Sequence, residues 1–303
     1  MPTSGKVWTI KDILNEGISR LKEANIETPV LEAGVLLCNL LNIDRAFLYS
    51  KGEQVLSDKN AKEYLNNLNK RINGLPLQYI TGHQEFMSLD FQVTPKTLIP
   101  RQDTEILVET VINYAKNKHD SKLRILDIGT GSGCIAVSMA YFIDDCCVTA
   151  LDISPGALKI AELNANNNGV GNKIIFKQVD IMNDNSFKIF IDEPFDIIVS
   201  NPPYIPAGEI PYLQKEVREF EPLEALDGGA DGLDFYREII SKSNDLLPHG
   251  ALAFEVGYDQ AKDVYNLMKS KFSEVSIQKD LSGIDRVVMG FREFQKIPCS
   301  SFV

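Results

Sequence analysis

Leu123-Arg124-Ile125-Leu126-Asp127-Ile128-Gly129-Thr130-Gly131-Ser132-Gly133 runs from a short apolar stretch straight into a loop of alternating glycines, and Cys134-Ile135-Ala136-Val137-Ser138-Met139-Ala140 continues with helical character. A short apolar run bounded by glycine reads as a buried strand, and strand, glycine loop and helix in succession open an α/β sheet that binds a nucleotide. Glycine is needed there because any Cβ would keep the backbone away from a ligand. The dinucleotide fingerprint Gly-x-Gly-x-x-Gly fails at its third glycine, where this chain has Cys134. The loop is Gly-x-Gly-x-Gly, and Gly129, Thr130, Gly131, Ser132 and Gly133 are candidate cofactor contacts.

The next strands carry acids at their ends. Asp152 closes Val148-Thr149-Ala150-Leu151, nineteen residues after Gly133, at the spacing where a carboxylate takes both hydroxyls of a ribose. Asp180 closes Ile174-Ile175-Phe176-Lys177-Gln178-Val179, and with Ile181 it is placed to hold an adenine by its amino group and one ring face. Either acid, taken singly, also suits a helix cap or a turn. A fourth apolar run, Phe195-Asp196-Ile197-Ile198-Val199-Ser200, ends in Asn201-Pro202-Pro203-Tyr204. That tetrapeptide offers a primary amide, carbonyl oxygens and an aromatic face at a sheet edge, while neither proline brings a competing N–H. The set suits a planar amino group as methyl acceptor: the Asn201 side-chain oxygen and the Pro202 carbonyl each accept one N–H, and Tyr204 lies over the flat face. A glycine loop, two acids and this tetrapeptide on successive strand ends favour S-adenosylmethionine (SAM) over NAD.

Asp127-Ile128-Gly129-Thr130-Gly131-Ser132-Gly133-Cys134-Ile135-Ala136 and Asn201-Pro202-Pro203-Tyr204-Ile205 resemble the signatures of the HemK/PrmC-type release factor glutamine methyltransferases. Further matching stretches are Pro76–Gly82, Leu98–Glu105, Glu221–Leu226, Gly228–Leu233 and Lys279–Arg286, so the resemblance runs from about residue 8 to residue 292. It implies a class I SAM-dependent methyltransferase, with a Rossmann-like, mostly parallel seven-stranded sheet, a small N-terminal helical bundle and a β-hairpin linker. It also implies methyl transfer to the glutamine side-chain amide in the Gly-Gly-Gln loop of peptide chain release factors. One departure is Ile181, where some relatives have a tryptophan beside the adenine. Two other readings stay open: adenine N6 or guanine N2 methylation of nucleic acid by the same tetrapeptide, and a non-catalytic SAM-binding adaptor in translation.

Residues 1–75 read as helices. Thr9 is a candidate N-cap for a stripe of Ile10, Ile13, Leu14, Ile18 and Leu21; Thr28-Pro29 opens a second helix with Leu31, Val35, Leu36, Leu40 and Leu41 as its apolar side. Asp44 and Ser57 start two more, and Gly74 and Pro76 stop the last. The resemblance makes this module a docking surface for a protein substrate. Residues 76–100 are expected to form the hairpin linker, with alternation from Leu77 to Val93, and Phe86 and Arg101 are placed at the mouth of the transfer site. Residues 101–292 form the methyltransferase domain and 293–303 a tail. The gap Asp280–Asp285 is too short for a crossover helix, so the last two strands are expected to be antiparallel, with one reversed strand at the sheet edge.

The composition fits a cytoplasmic enzyme, expected to be monomeric. Of 303 residues 44% are hydrophobic, enough for real cores, and the five cysteines form no Cys-x-x-Cys pair. His83, His119 and His249 have no acid or cysteine at ligand spacing, so no metal site is expected. There is no stretch of transmembrane length and no signal-peptide pattern. A net charge of −11 argues against direct nucleic-acid binding, which needs a basic face; the acidity lies in the later domain, beside a near-neutral first module.

Overall fold

The computed structural model describes residues 7–118, 122–183 and 194–293. The chain divides into two units, Met1–His83 with Gln214–Phe220, and Gln84–Leu213 with Glu221–Val303. The first unit therefore runs past residue 75 and takes in a later segment. The expected tail lies outside the described residues apart from Glu293, as do His119 and Cys299.

In the first unit the expected caps form. The Thr9 hydroxyl accepts from the Asp12 N–H at 3.1 Å at the start of α1 (Ile10–Glu23), and Pro29 opens α2 (Pro29–Leu41). The Asp44 carboxylate accepts from Phe47 N at 2.7 Å ahead of α3 (Arg45–Ser50), and Ser57 caps α4 (Asp58–Ile72) through Asn60 N at 3.2 Å. Each cap satisfies an N–H that the first turn leaves open. The buried face of α2 is turned from the expected one: Leu31 is exposed, and Glu32, Ala33, Leu36 and Leu37 face inward. The reason is Arg71 on α4, itself buried, whose Nε lies 2.5 Å from Glu32 Oε2 and whose Nη1 lies 3.0 Å from Glu216 Oε2. Glu216 sits on α9 (Lys215–Phe220), the segment that returns from the later chain. Leu77–Thr81, expected to be strand-like, is instead a short helix, α5, ended by Gly82 at φ +81°. The hairpin is confined to β1 (His83–Phe86) and β2 (Leu89–Gln92).

The second unit is a seven-stranded sheet built from β3 (Leu123–Ile128), β4 (Cys146–Asp152), β5 (Ile174–Gln178), β6 (Ile197–Ser200), β7 (Gly250–Glu255), β8 (Glu274–Lys279) and β9 (Asp285–Arg292). Their order is β5-β4-β3-β6-β7-β9-β8. The first five are parallel to one another, while β9 is antiparallel to both β7 and β8. The reversed strand is thus interior and not at the edge. Burial explains the exchange: β9 carries Val287, Val288 and Met289, all buried, whereas no residue of β8 is buried and its Glu274, Gln278 and Lys279 are exposed, which tolerates an edge. Alternate side chains of β3 feed different cores, Ile125 with α6 (Asp103–Lys118) and α7 (Cys134–Phe142), and Leu126 with α10 (Asp234–Leu246) and α11 (Ala261–Lys269). Phe86 belongs to the first of these cores, 1% exposed and edge-on to Phe91, so it lines no site mouth; an aromatic beside a hairpin turn packs where apolar area is available.

Candidate active site

Strand register brings the site together. Ile128 stands opposite Leu151 on one side and Ser200 on the other, and Ser200 stands opposite Phe254. The residues one step further along, Asp152, Gly129, Asn201 and Glu255, consequently share one level at the carboxyl edge of four adjacent strands, where open α/β sheets bind ligands. The Ser200 hydroxyl donates to the Ile128 carbonyl at 2.7 Å and pins the central pair.

A cavity of ≈ 570 Å³ opens at this edge, within the range of small-molecule sites, roughly 300–1,000 Å³. Gly129, Gly131, Asp152, Asp180, Ile181, Asn201, Pro202 and Pro203 all line it. Gly129 has φ +76°, and nothing within 4 Å would meet a Cβ there, so the hollow beside the loop is a space a side chain would fill. Asp152 Oδ2 accepts from the Gly131 N–H and Oδ1 from the Ser154 N–H, both at 2.8 Å. Burial raises the Asp152 carboxyl above its ordinary pKa, against the pull of those two donors. Asp180 accepts from Met182 N at 2.9 Å in a local turn while facing the cavity, and Ile181 joins the wall beside it.

Thr130, Ser132, Gly133 and Tyr204 are not among the lining residues. The first three shape the loop from behind. The Thr130 hydroxyl donates to Asp127 Oδ2 at 2.6 Å, the Ser132 carbonyl accepts from Asn164 Nδ2 of α8 (Pro155–Asn167) at 2.8 Å, and a Cβ on Gly133 would come within 3.0 Å of Ala161 Cα on the same helix. Tyr204 packs beside the second core, and burial lifts its hydroxyl pKa well above the ordinary value. Its carbonyl accepts from Gln260 Nε2 at 2.8 Å, and Gln260 Oε1 in turn accepts from Gly257 N at 3.1 Å. Gly232 lies so close beneath that a Cβ would stand 2.3 Å from the Tyr204 oxygen. Arg101 points elsewhere than expected: its Nη2 grips both oxygens of buried Glu221 at 2.7 Å.

Several wall residues carried no chemical signal in the sequence. Leu98, Leu223, Ala225, Asp227, Gly229 and Phe235 also line the cavity, and most belong to stretches noted only for their family resemblance. Glu255 was missed entirely. It is 2% exposed, and the side chains of Thr104 and Asn201 lie beside its carboxyl and favour its charged form.

This strand order, with a glycine loop after the first strand of the sheet, acids at the next two strand ends and a lined hollow between, defines a class I SAM-dependent methyltransferase. The same fold occurs in the solved catalytic domain of hMettl16 in complex with MAT2A 3'UTR hairpin 6, with a TM-score of 0.52 at 16% identity over 82% of this chain and 92% of that one. Family models match at residues 12–82, the PrmC N-terminal domain, and at 102–214, the methyltransferase small domain. The release factor glutamine methyltransferase of Clostridium acetobutylicum is 40% identical over 285 residues, 93% of this chain and 98% of its own length. That of Moorella thermoacetica is 41% identical over 288 residues, 94% and 99% of the two chains. The chain belongs to the release factor glutamine methyltransferase family, and it is an enzyme. Among the described residues no helix is long and apolar enough to cross a membrane.

Proposed function

We propose that this enzyme transfers a methyl group from SAM to the side-chain amide nitrogen of the glutamine in the Gly-Gly-Gln motif of peptide chain release factors. The observation that carries the proposal is the placement of Asn201 one strand from Gly129 on the wall of a single cavity, in a chain similar to such enzymes over nearly its full length. Gly129, Gly131, Asp152, Asp180 and Ile181 would hold the cofactor, with Thr130, Ser132 and Gly133 keeping the loop in shape. When bound, SAM supplies an electrophilic methyl group on a positively charged sulfonium.

The acceptor dictates what the protein must do. An amide nitrogen shares its lone pair with the carbonyl and is a feeble nucleophile, so orientation carries much of the acceleration; such positioning is worth roughly 7–11 kcal/mol. The Asn201 oxygen and the Pro202 carbonyl would accept the two amide N–H groups, holding the nitrogen still and favouring its pyramidal form. Pro203 stiffens the turn, and the Tyr204 ring, packed beside the second core, would stand behind the cavity wall and brace the turn that presents Asn201 and Pro202. The alkylated nitrogen is strongly acidic and loses its proton to water without a tuned base. In this reading the first unit docks the body of the protein substrate, and the enzyme works as a cytoplasmic monomer without binding nucleic acid directly.

Labelled SAM incubated with a release factor, followed by mass mapping, tests the proposal. The label is expected on the glutamine of Gly-Gly-Gln, and a short peptide with that motif should react far more slowly than the intact factor. Label on DNA or RNA and none on the release factor would replace this reading with nucleobase methylation.

A further inference from the structure

We propose that Glu255 is a positioning residue that fixes which way the Asn201 side-chain amide faces, turning its oxygen toward the acceptor. The inference rests on the reading of Asn201 as the acceptor's anchor. Asn201 follows Ser200 and Glu255 follows Phe254, and Ser200 and Phe254 are register partners on neighbouring parallel strands, so the two side chains start side by side. Thr104, near the start of α6 and 2% exposed, completes a buried cluster: Asn201 Nδ2 donates to Thr104 Oγ1 at 3.2 Å, and both side chains lie beside the Glu255 carboxyl, where they favour its charged form.

The orientation within this cluster follows from what a carboxylate can do. It accepts hydrogen bonds and donates none. An amide beside it must present its NH2 inward, which leaves its oxygen for the cavity that Asn201 lines. The acceptor nitrogen brings only N–H groups, so an oxygen is the atom the reaction needs. An amide turned the other way would set donor against donor.

Burying this carboxyl is otherwise costly. Glu255 Oε2 is buried without a hydrogen-bond partner among the described residues, and such groups are rare unless they serve a purpose. The groups facing it are Asp103 beside Thr104, Arg286 from β9, the Tyr204 hydroxyl and the Cys134 thiol of α7; its own backbone carbonyl accepts from the Tyr236 hydroxyl at 2.9 Å. Arg286 is shared between Asp103 and Asp280, each at 3.0 Å. Burial dominates, with Asp103 adding to it, and lifts the Glu255 pKa to about 7. A protonated Glu255 gains a donor that an amide oxygen can accept, so Asn201 is then free to turn and the acceptor site is lost.

The test compares Glu255→Gln, Glu255→Asp, Thr104→Val and Asn201→Ala in the full-length enzyme, with labelled SAM and a release factor. Glutamine is isosteric with glutamate but can donate, so Glu255→Gln should lower kcat by roughly tenfold or more at alkaline pH while SAM affinity by calorimetry stays within about twofold. The acidic limb of kcat near neutral pH in the unsubstituted enzyme should vanish in Glu255→Gln, and Glu255→Asp should recover part of the rate. Apart from activity, an infrared titration should show two buried carboxyls, Glu255 and Asp127, losing their protons near neutral pH, with the signal of one of them gone in Glu255→Gln. Were Glu255→Gln to fail to fold, Thr104→Val breaks the same cluster and should give the same selective loss of kcat. An unchanged kcat and an unchanged acidic limb in the folded variants would overturn the proposal while a dead Asn201→Ala left the acceptor-site reading standing. An active Asn201→Ala would overturn both.

Discussion

The Gly131 N–H donates to Asp152 Oδ2 at 2.8 Å, so the acid that ends β4 also holds the glycine loop that follows β3. One carboxylate thereby ties two adjacent strand ends, and its loss should be felt in the loop as well as at the ligand.

Asp152→Ala is expected to weaken SAM binding by about 1.5–3 kcal/mol, the usual worth of hydrogen bonds to a charged group. That corresponds to roughly a 10- to 150-fold rise in Kd. Isothermal calorimetry on the folded variant checks this, and an unchanged affinity would take Asp152 out of the site.

Asn201→Ala should reduce turnover by about a hundredfold or more, as removal of one polar group that stabilises a transition state typically does. Tyr204→Phe should cost far less. The Tyr204 hydroxyl is buried and its pKa is pushed further from neutrality, so it is poorly suited to proton transfer. Single-turnover kinetics with saturating cofactor separates the two effects; equal damage from both substitutions would give the hydroxyl a role in chemistry.

Asp127 supplies a pH signature in stability. It is fully buried behind the loop, burial lifts its pKa from 3.8 to about 7, and the Thr130 hydroxyl and the Ala136 backbone only partly offset that. Its folded pKa exceeds its unfolded one, so the folded state holds the extra proton between these values. The stabilisation is complete below the unfolded pKa and is lost as pH rises toward about 7. Thermal unfolding of the parent and of Asp127→Asn across this window should show the parent losing stability relative to the variant as pH rises. Parallel curves would mean the carboxyl is charged throughout.

Arg71→Ala should destabilise the enzyme by about 3 kcal/mol, near the lower end for breaking a buried ion pair, because Glu216 keeps partial access to water. Glu32 has no such relief, its side chain being 11% exposed. Urea unfolding measures the change. Arg71→Lys should recover little, since a single ammonium cannot serve both carboxylates as the guanidinium fork does.

Much of this architecture was legible because it is local. The runs ending at Ile128, Asp152 and Ser200 are strands whose tips meet at one cavity, and Thr9, Asp44 and Ser57 cap helices because a short polar side chain before an apolar stripe has few other uses there. What escaped is long-range. The hairpin of β8 and β9 follows from its short turn, yet which partner takes the edge depends on how each packs against β7. Ala251-Leu252-Ala253-Phe254-Glu255-Val256 reads as core, and only its pairing with β6 shows that the one charge in it meets Asn201. Phe86 looked like a rim residue because aromatic character alone does not say which side of a hairpin is covered. The buried face of α2 was misplaced because the partner that rotates it, Arg71, lies a helix away.

The return of Lys215–Phe220 to the first unit bears on how the protein is made. During synthesis α1 to α5 leave the ribosome well before Glu216 exists, so Arg71 then has Glu32 as its partner and lacks its second carboxylate. Domains generally fold as units, N-terminal first, but here the first unit stays unfinished until most of the sheet has been translated. The second half of the Arg71 pairing is thus added only after the strands through β6 have been translated.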